Sequence, residues 1–295
     1  MVYSTLISVS DLLGHIADPD WCIVDCRFSL AEPEDGENKY QYAHIPGAIY
    51  AHLNDDLSGD VIPGKTGRHP LPEKMEFVKT VRKWGIDPTV QVVAYDDAGG
   101  ALAAARLWWL LRWAGHPAVA VMDGGWRAWI TTGHPVQSGW ESRSERVYYP
   151  TKPQAGTSTS IQEIVSAEQV MDLLYNPDYR ILDSRSSERY RGENETIDSR
   201  AGHIPGAVSA PYQDNLDVLG YFHKPDELKA RFKKLFRSVP AERVIFYCGS
   251  GVTATHNLLA VAHAGLGNAK LFTGSWSEWI TDPKRPVEMG GEVNS

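Results

Sequence analysis

Three short segments of the chain occur twice, in the same order. Tyr42-Ala-His-Ile-Pro-Gly-Ala48 returns as Ala201-Gly-His-Ile-Pro-Gly-Ala207, which sets His44 against His203 at an offset of 159 residues. Upstream, Ile23-Val-Asp-Cys-Arg27 matches Ile181-Leu-Asp-Ser-Arg185 at an offset of 158. Downstream, Asp123-Gly-Gly-Trp-Arg-Ala-Trp129 matches Thr273-Gly-Ser-Trp-Ser-Glu-Trp279 at 150. Collinear matches with slowly drifting offsets point to a duplicated domain, and 295 residues give each copy enough chain to bury its own core. The expected domains are residues 1–145 and 160–295. Around the boundary, near 140 to 160, Gln137-Ser-Gly-Trp-Glu-Ser-Arg-Ser and Thr151-Lys-Pro-Gln-Ala-Gly-Thr-Ser-Thr-Ser are polar, contain Pro and Gly, and show no period, as linkers do.

Within each half, helix and strand signals alternate. Ser10-Asp-Leu-Leu and Ser166-Ala-Glu-Gln read as helix N-caps, the second as a capping box. Short β-rich runs follow at Trp21 to Val24, Val90 to Tyr95, Ala118 to Met122, Ile181 to Leu182, Arg243 to Tyr247 and Lys270 to Phe272. Strands separated by helices predict an α/β fold in tandem, each domain a mainly parallel sheet flanked by helices.

The run Val244-Ile-Phe-Tyr-Cys248-Gly-Ser-Gly-Val-Thr-Ala254 reads as a buried strand, a glycine-containing loop and a helix start. It sets Cys248 at the carboxyl end of a strand, where α/β sheets bind ligands. Gly249 and Gly251 let backbone N–H groups turn inward, and with the helix N-terminus they form an anion cradle. Such a cradle would hold a thiolate and, on it, the extra sulfur of a persulfide.

Cys248-Gly-Ser-Gly-Val-Thr-Ala254, with Gly202-His-Ile-Pro-Gly-Ala207 before it and Gly274-Ser-Trp-Ser-Glu-Trp279 after it, resembles the active-site half of the rhodanese superfamily. The loop itself resembles the mercaptopyruvate sulfurtransferase branch, and the resemblance spans nearly the whole chain. It implies tandem rhodanese-like domains and sulfur transfer in two half-reactions. The Cys248 thiolate takes sulfur from a small anionic donor, 3-mercaptopyruvate, and a thiol acceptor such as thioredoxin or a low-molecular-weight thiol collects it. No cofactor and no metal is implied.

The resemblance also assigns residues. In the first half Asp96 stands where Cys248 stands in the second, and a carboxylate cannot carry a persulfide, so that half is expected to be catalytically inactive. Arg189, in Ser187-Glu-Arg189-Tyr-Arg191-Gly, takes the position of the arginine that binds the donor carboxylate, a task suited to its planar fork. A second arginine usual seven residues before the histidine of His-Ile-Pro-Gly-Ala is replaced by Thr196, and Arg200 is expected to take its part. Gly249, Gly251, Val252 and Thr253 line the donor and its sulfur. Ser250 and His69, the latter in Gly67-Arg-His69-Pro-Leu-Pro72, are expected to relay a proton; the place of the acid behind them falls on Asn54 in Asn54-Asp55-Asp56, so either a neighbouring Asp substitutes or the relay lacks its third member. Arg185, in Asp183-Ser-Arg185, recurs as Arg27 in the first half and reads as structural, along with Asp183, His44 and His203. Cys22 and Cys26, on or beside a core strand in no zinc spacing, read the same way.

Rival classes are weighed on single positions. Phosphatases of this fold close a phosphate cradle with an arginine after five intervening residues, and Ala254 holds that place. A thiosulfate sulfurtransferase that passes sulfur to cyanide or thiols tends to place basic residues straight after the cysteine, where Gly249 and Ser250 are neutral. A non-catalytic sensing or binding module would not need an intact Cys248. A formal charge of −8 with no basic stripe argues against nucleic acid. The start Met1-Val-Tyr-Ser-Thr-Leu-Ile lacks a secretory pattern, no apolar run is long enough to cross a bilayer, and cysteines number only 3, so a cytoplasmic monomer without membrane contact is expected.

Overall fold

Each half of the sequence builds its own parallel sheet. A computed structural model of the chain describes residues 2–147 and 164–291, so residues 148–163 of the expected linker lie outside the described residues. In the first sheet the strands are β1 (Leu6–Ile7), β2 (Trp21–Asp25), β3 (Ile49–Tyr50), β4 (Gln91–Tyr95) and β5 (Val119–Met122). In the second they are β6 (Ile164–Val165), β7 (Arg180–Asp183), β8 (Val208–Ser209), β9 (Val244–Tyr247) and β10 (Lys270–Phe272). The orders are β1-β5-β4-β2-β3 and β6-β10-β9-β7-β8, the same topology twice, and every pairing is parallel. Parallel strands need crossovers, and the helices that supply them cover both faces. That is why β2, β4 and β9 are buried along their whole length.

The chain divides into two compact units that do not follow the halves residue for residue. One comprises Met1–Gly59, Pro72–Ile161 and Asp217–Phe222; the other comprises Asp60–Leu71, Gln162–Leu216 and His223–Ser295. The core of the first gathers Ile23, Val93, Tyr95, Ala120, Met122 and Trp129, and that of the second Ile181, Ile245, Tyr247, Phe272, Trp276 and Trp279. Each large apolar side chain so buried contributes about 1.5–3 kcal/mol.

The repeated motifs have one structural cause. Arg27 grips the carboxylate of Asp25 (Nη2 to Oδ2, 2.6 Å), donates to the carbonyl of Ala43 (2.6 Å) and lies over the Trp126 ring. Arg185 does the same with Asp183 (2.6 Å), Gly202 (2.6 Å) and Trp276. His44 Nδ1 meets the Tyr40 carbonyl at 2.8 Å, and His203 Nδ1 the Tyr190 carbonyl at 2.8 Å. These buried bonds tie the His-Ile-Pro-Gly-Ala turn to the strand ends in both halves, which accounts for the recurrence of the motifs.

Two expectations need correction. The first helix, Val9–Leu13, is capped by Ser8, whose Oγ accepts from the Asp11 N–H, and Ser10 lies inside it. The edge strands β1, β3, β6 and β8 were not expected, because strands of two residues carry no alternation to read. At Ser166 the capping box is present: its Oγ accepts from the Gln169 N–H (3.2 Å), and its own N–H donates to Gln169 Oε1 (2.8 Å).

Candidate active site

Strand β9 ends at Tyr247 and helix Ala254–His263 begins six residues after Cys248, so the loop 248–253 turns directly from sheet to helix. The register sets Asp183 beside Tyr247. Cys248 is 1% exposed and its Sγ accepts from the Gly251 N–H at 3.2 Å. Gly251 has φ +78°, and a Cβ there would collide with the Thr273 carbonyl, so only glycine lets its N–H point at the sulfur.

Ser275 is a residue that sequence reasoning passed over. It is fully buried at φ +55°, a left-handed conformation that its counterpart Gly125 (φ +54°) adopts without strain. A non-glycine residue held there costs about 1 kcal/mol or more. In return its Oγ accepts from the Cys248 N–H (3.1 Å) and donates to the Phe272 carbonyl (2.9 Å), fixing the strand end that bears the thiol.

The first half shows what the same cradle does with a carboxylate. Asp96 Oδ1 accepts from the N–H of Ala98 (2.9 Å) and Gly100 (2.8 Å), and Oδ2 from those of Leu102, Ala103 and Ala104 (3.0, 3.2 and 3.2 Å). Burial pushes the Asp96 carboxyl up, and the N–H groups of Ala98, Gly100 and Ala104 oppose that rise. Counted from the helix starts, Val252, Thr253 and Ala254 of the second half supply the N–H groups that match Leu102, Ala103 and Ala104. Thr253 stands at the N-cap and its side chain makes no capping bond.

Two guanidinium groups lie against the loop. A Cβ placed on Gly249 would sit 2.9 Å from Arg68 Nη2 and 3.5 Å from Arg189 Nη1, so both guanidiniums come up against the bare backbone of the loop. Arg189 holds Glu195 with Nε and Nη2 (3.0 Å each) and Asp198 with Nη2 (2.9 Å). Arg68 Nη1 pairs with the other oxygen of Asp198. Glu195 also receives Arg185 Nη1 (3.4 Å) and the N–H groups of Ile197 and Asp198 (3.0 Å each). Although burial alone would raise it, Arg189 foremost, with the N–H groups of Asp198 and Ile197, holds the Glu195 carboxyl below its usual range.

The second cation at the loop is therefore Arg68. Arg200 directs Nη1 to the Arg285 carbonyl (3.2 Å), 85 residues on in the chain, and Arg191 closes on the exposed Glu193. Arg68 stands beside His69 in the sequence, but its placement is tertiary: its N–H donates to Ser277 Oγ (3.1 Å), and Gly67 lies so close to the Gly274 carbonyl that no side chain would fit.

His69 is 5% exposed and its Nδ1 makes a 2.7 Å hydrogen bond with Ser250 Oγ, in a residue 7% exposed. In the other unit both candidate acids engage His52: Asp55 Oδ2 lies 3.1 Å from His52 Nδ1, and Asp56 Oδ2 accepts the His52 N–H at 2.8 Å. Cys22 and Cys26 are fully buried, and burial pushes the Cys22 thiol up to about 12.

Comparison with known proteins meets this geometry from outside. The Rhodanese-like domain family matches residues 8–132 and again 166–282. A Pseudomonas aeruginosa protein named "Probable 3-mercaptopyruvate sulfurtransferase" is 44% identical over 291 residues, covering 98% of this chain and 100% of its own. The Mus musculus "Thiosulfate sulfurtransferase" is 32% identical over 302 residues, 98% of this chain and 97% of its own. The solved structure of 3-mercaptopyruvate sulfurtransferase from Leishmania major superposes with a TM-score of 0.81 at 31% identity, over 94% of this chain and 74% of that one. Two copies of one parallel five-stranded topology, each matched by the same family, leave one assignment: the chain belongs to the rhodanese family, with two rhodanese-like domains in tandem.

Proposed function

We propose that the chain is a sulfurtransferase that moves sulfane sulfur from 3-mercaptopyruvate to a thiol acceptor through a persulfide on Cys248. The Cys248 thiolate attacks the donor sulfur, an S–S bond forms and the donor C–S bond breaks, and the electron pair leaves on carbon as the enolate of pyruvate. That enolate needs a proton, and the Ser250–His69 pair is the observation that carries the reading, because two buried polar side chains 2.7 Å apart beside the thiol form a short relay to it. An acceptor thiolate then attacks the outer sulfur and returns Cys248 as thiolate. The Gly251 N–H and those of Val252, Thr253 and Ala254 hold the sulfur that carries charge.

Arg189 and Arg68 are read as the cations that receive the donor carboxylate across Gly249. Thiosulfate is the second reading, and this pair of guanidiniums favours it, since a dianion wants two cations. The carboxylates of Asp198 and Glu195 already compensate them, and sulfite leaves without needing a proton. We therefore expect kcat/KM for 3-mercaptopyruvate to exceed that for thiosulfate about tenfold or more, one cation cancelled by those carboxylates being worth roughly 1–3 kcal/mol. Steady-state rates with both donors test this, and faster turnover of thiosulfate would reverse the donor assignment.

Residues 1–145 are read as the inactive domain and 160–295 as the catalytic one. Asp60–Leu71, which carries Arg68 and His69, joins the catalytic unit from the first half of the sequence. Among the described residues no helix is long and apolar enough to cross a membrane. With three free, buried cysteines we read the chain as a cytoplasmic monomer that passes sulfur to thioredoxin or a low-molecular-weight thiol.

A further inference from the structure

Among the charged groups around the catalytic loop, Asp198 holds a particular place. Its two oxygens are divided between the two guanidiniums that overlie Gly249, Oδ1 toward Arg68 and Oδ2 toward Arg189, and its side chain is 3% exposed. Glu195, 2% exposed, takes the rest of the Arg189 fork and reaches Arg185, which also holds Asp183. The cluster thus sets Arg68, Arg185 and Arg189 against Asp183, Glu195 and Asp198, three positive side chains against three negative ones. We propose that Asp198 is a specificity-determining residue, which cancels one charge of the Arg68–Arg189 pair so that the site takes a singly charged donor in preference to a doubly charged one.

The inference rests on the reading that anionic donors bind at this pair. It follows from charge arithmetic at short range. A bound anion feels the field of every charge in the cluster, and a dianion feels it twice as strongly as a monoanion. With Asp198 in place the guanidiniums present directed hydrogen-bond donors in a neutral cluster, which suits a single carboxylate. Replacing Asp198 by an uncharged isostere leaves the cluster with one net positive charge. Both anions then bind better, the dianion by twice the free energy, so the ratio of their affinities moves by the worth of one charge. In a buried site that worth is about 1.4 kcal/mol, a tenfold change in the ratio.

The test separates anion choice from turnover by using anions that do not react. The rate at which iodoacetamide alkylates Cys248, followed by mass spectrometry of its peptide, is measured against increasing pyruvate (monoanion) and sulfate (dianion). Protection gives a dissociation constant for each. In Asp198→Asn the affinity for sulfate relative to pyruvate should rise about tenfold over wild type. Arg68→Gln, which removes one positive charge and leaves Asp198 on Arg189, should shift the ratio about tenfold the other way, and it carries the test alone should Asp198→Asn fail to fold. Combining the two substitutions restores neutrality and should restore the wild-type ratio, which a merely structural role for Asp198 does not predict. A ratio that stays within twofold of wild type in the single variants, or moves the same way in both, overturns the proposal. Turnover of 3-mercaptopyruvate by the wild-type protein is measured beside it: lack of turnover with the predicted shifts in ratio would sink the sulfurtransferase reading and leave the charge assignment standing.

Discussion

Removing one oxygen atom from the loop separates the two donor chemistries. Ser250→Ala deletes the hydroxyl that meets His69 Nδ1 at 2.7 Å in a pocket where both residues are under a tenth exposed, and leaves Cys248, its Gly251 contact and both arginines in place. The lost hydrogen bond destabilises the fold by about 1 kcal/mol. Its effect on chemistry is larger for one donor. A positioned proton donor is worth roughly 10²- to 10⁴-fold, or about 3–5 kcal/mol of barrier, and only a leaving group that must be protonated loses it. Single-turnover release of pyruvate from 3-mercaptopyruvate should therefore slow at least a hundredfold, while release of sulfite from thiosulfate should change less than fivefold. His69→Ala should reproduce the pattern, and Ser250→Ala combined with it should be no slower than either alone. Equal slowing with both donors would show that Ser250 shapes the loop rather than serving the proton, and no slowing with either would remove the relay from the mechanism.

Arg189→Ala deletes the fork that holds Glu195 and part of Asp198; kcat/KM for 3-mercaptopyruvate should fall about ten- to a hundredfold, and the uncharged analogue mercaptoacetone should be spared. A common loss for both would assign Arg189 to scaffolding. Asp96→Ala leaves the N–H groups of Ala98, Gly100, Leu102, Ala103 and Ala104 without their acceptor, so calorimetry should show a loss of several kcal/mol in stability, while persulfide yield per folded molecule stays at the wild-type level. Loss of yield in folded protein would make the first loop part of the chemistry. His116 is buried with its pKa lowered from 6.5 to about 4, chiefly by desolvation. The folded state refuses a proton that the unfolded state takes, so its contribution is complete above pH 6.5 and is lost as pH falls from 6.5 towards 4, by up to about 3 kcal/mol. In that window the Tm of His116→Gln should fall less steeply than that of wild type, and parallel curves would refute the assignment.

The repeat was legible because each motif is held by its own internal bonds. Asp25 with Arg27, Asp183 with Arg185 and the two histidines on tyrosine carbonyls recur wherever the sheet recurs. Cys248 was legible for a local reason too, since a strand, a glycine loop and a helix start are contiguous in the chain. Arg68 was not, because nothing in Gly67-Arg-His69 says that it meets Gly249, 181 residues on; the approach depends on Ser277 and on the bare backbone of Gly67 against the Gly274 carbonyl. The neutrality of Gly249 and Ser250 was likewise visible, but the charge of the site is set by residues distant in sequence. Asp198 and Glu195 lie in the polar run Glu193 to Ser199, which reads as a solvated loop until the guanidiniums are seen to fold onto it.

The central claim is that sulfur travels on Cys248. Protein incubated with 3-mercaptopyruvate and freed of it should gain the mass of one sulfur atom, localised by peptide mapping to Cys248 and removed by reduced thioredoxin or a low-molecular-weight thiol with release of one persulfide or sulfide equivalent. Cys248→Ser, nearly isosteric, should fold, gain no mass and transfer no sulfur. Sulfur found on Cys22 or Cys26, or transfer by the Cys248→Ser protein at more than a tenth of the wild-type rate, would contradict the account.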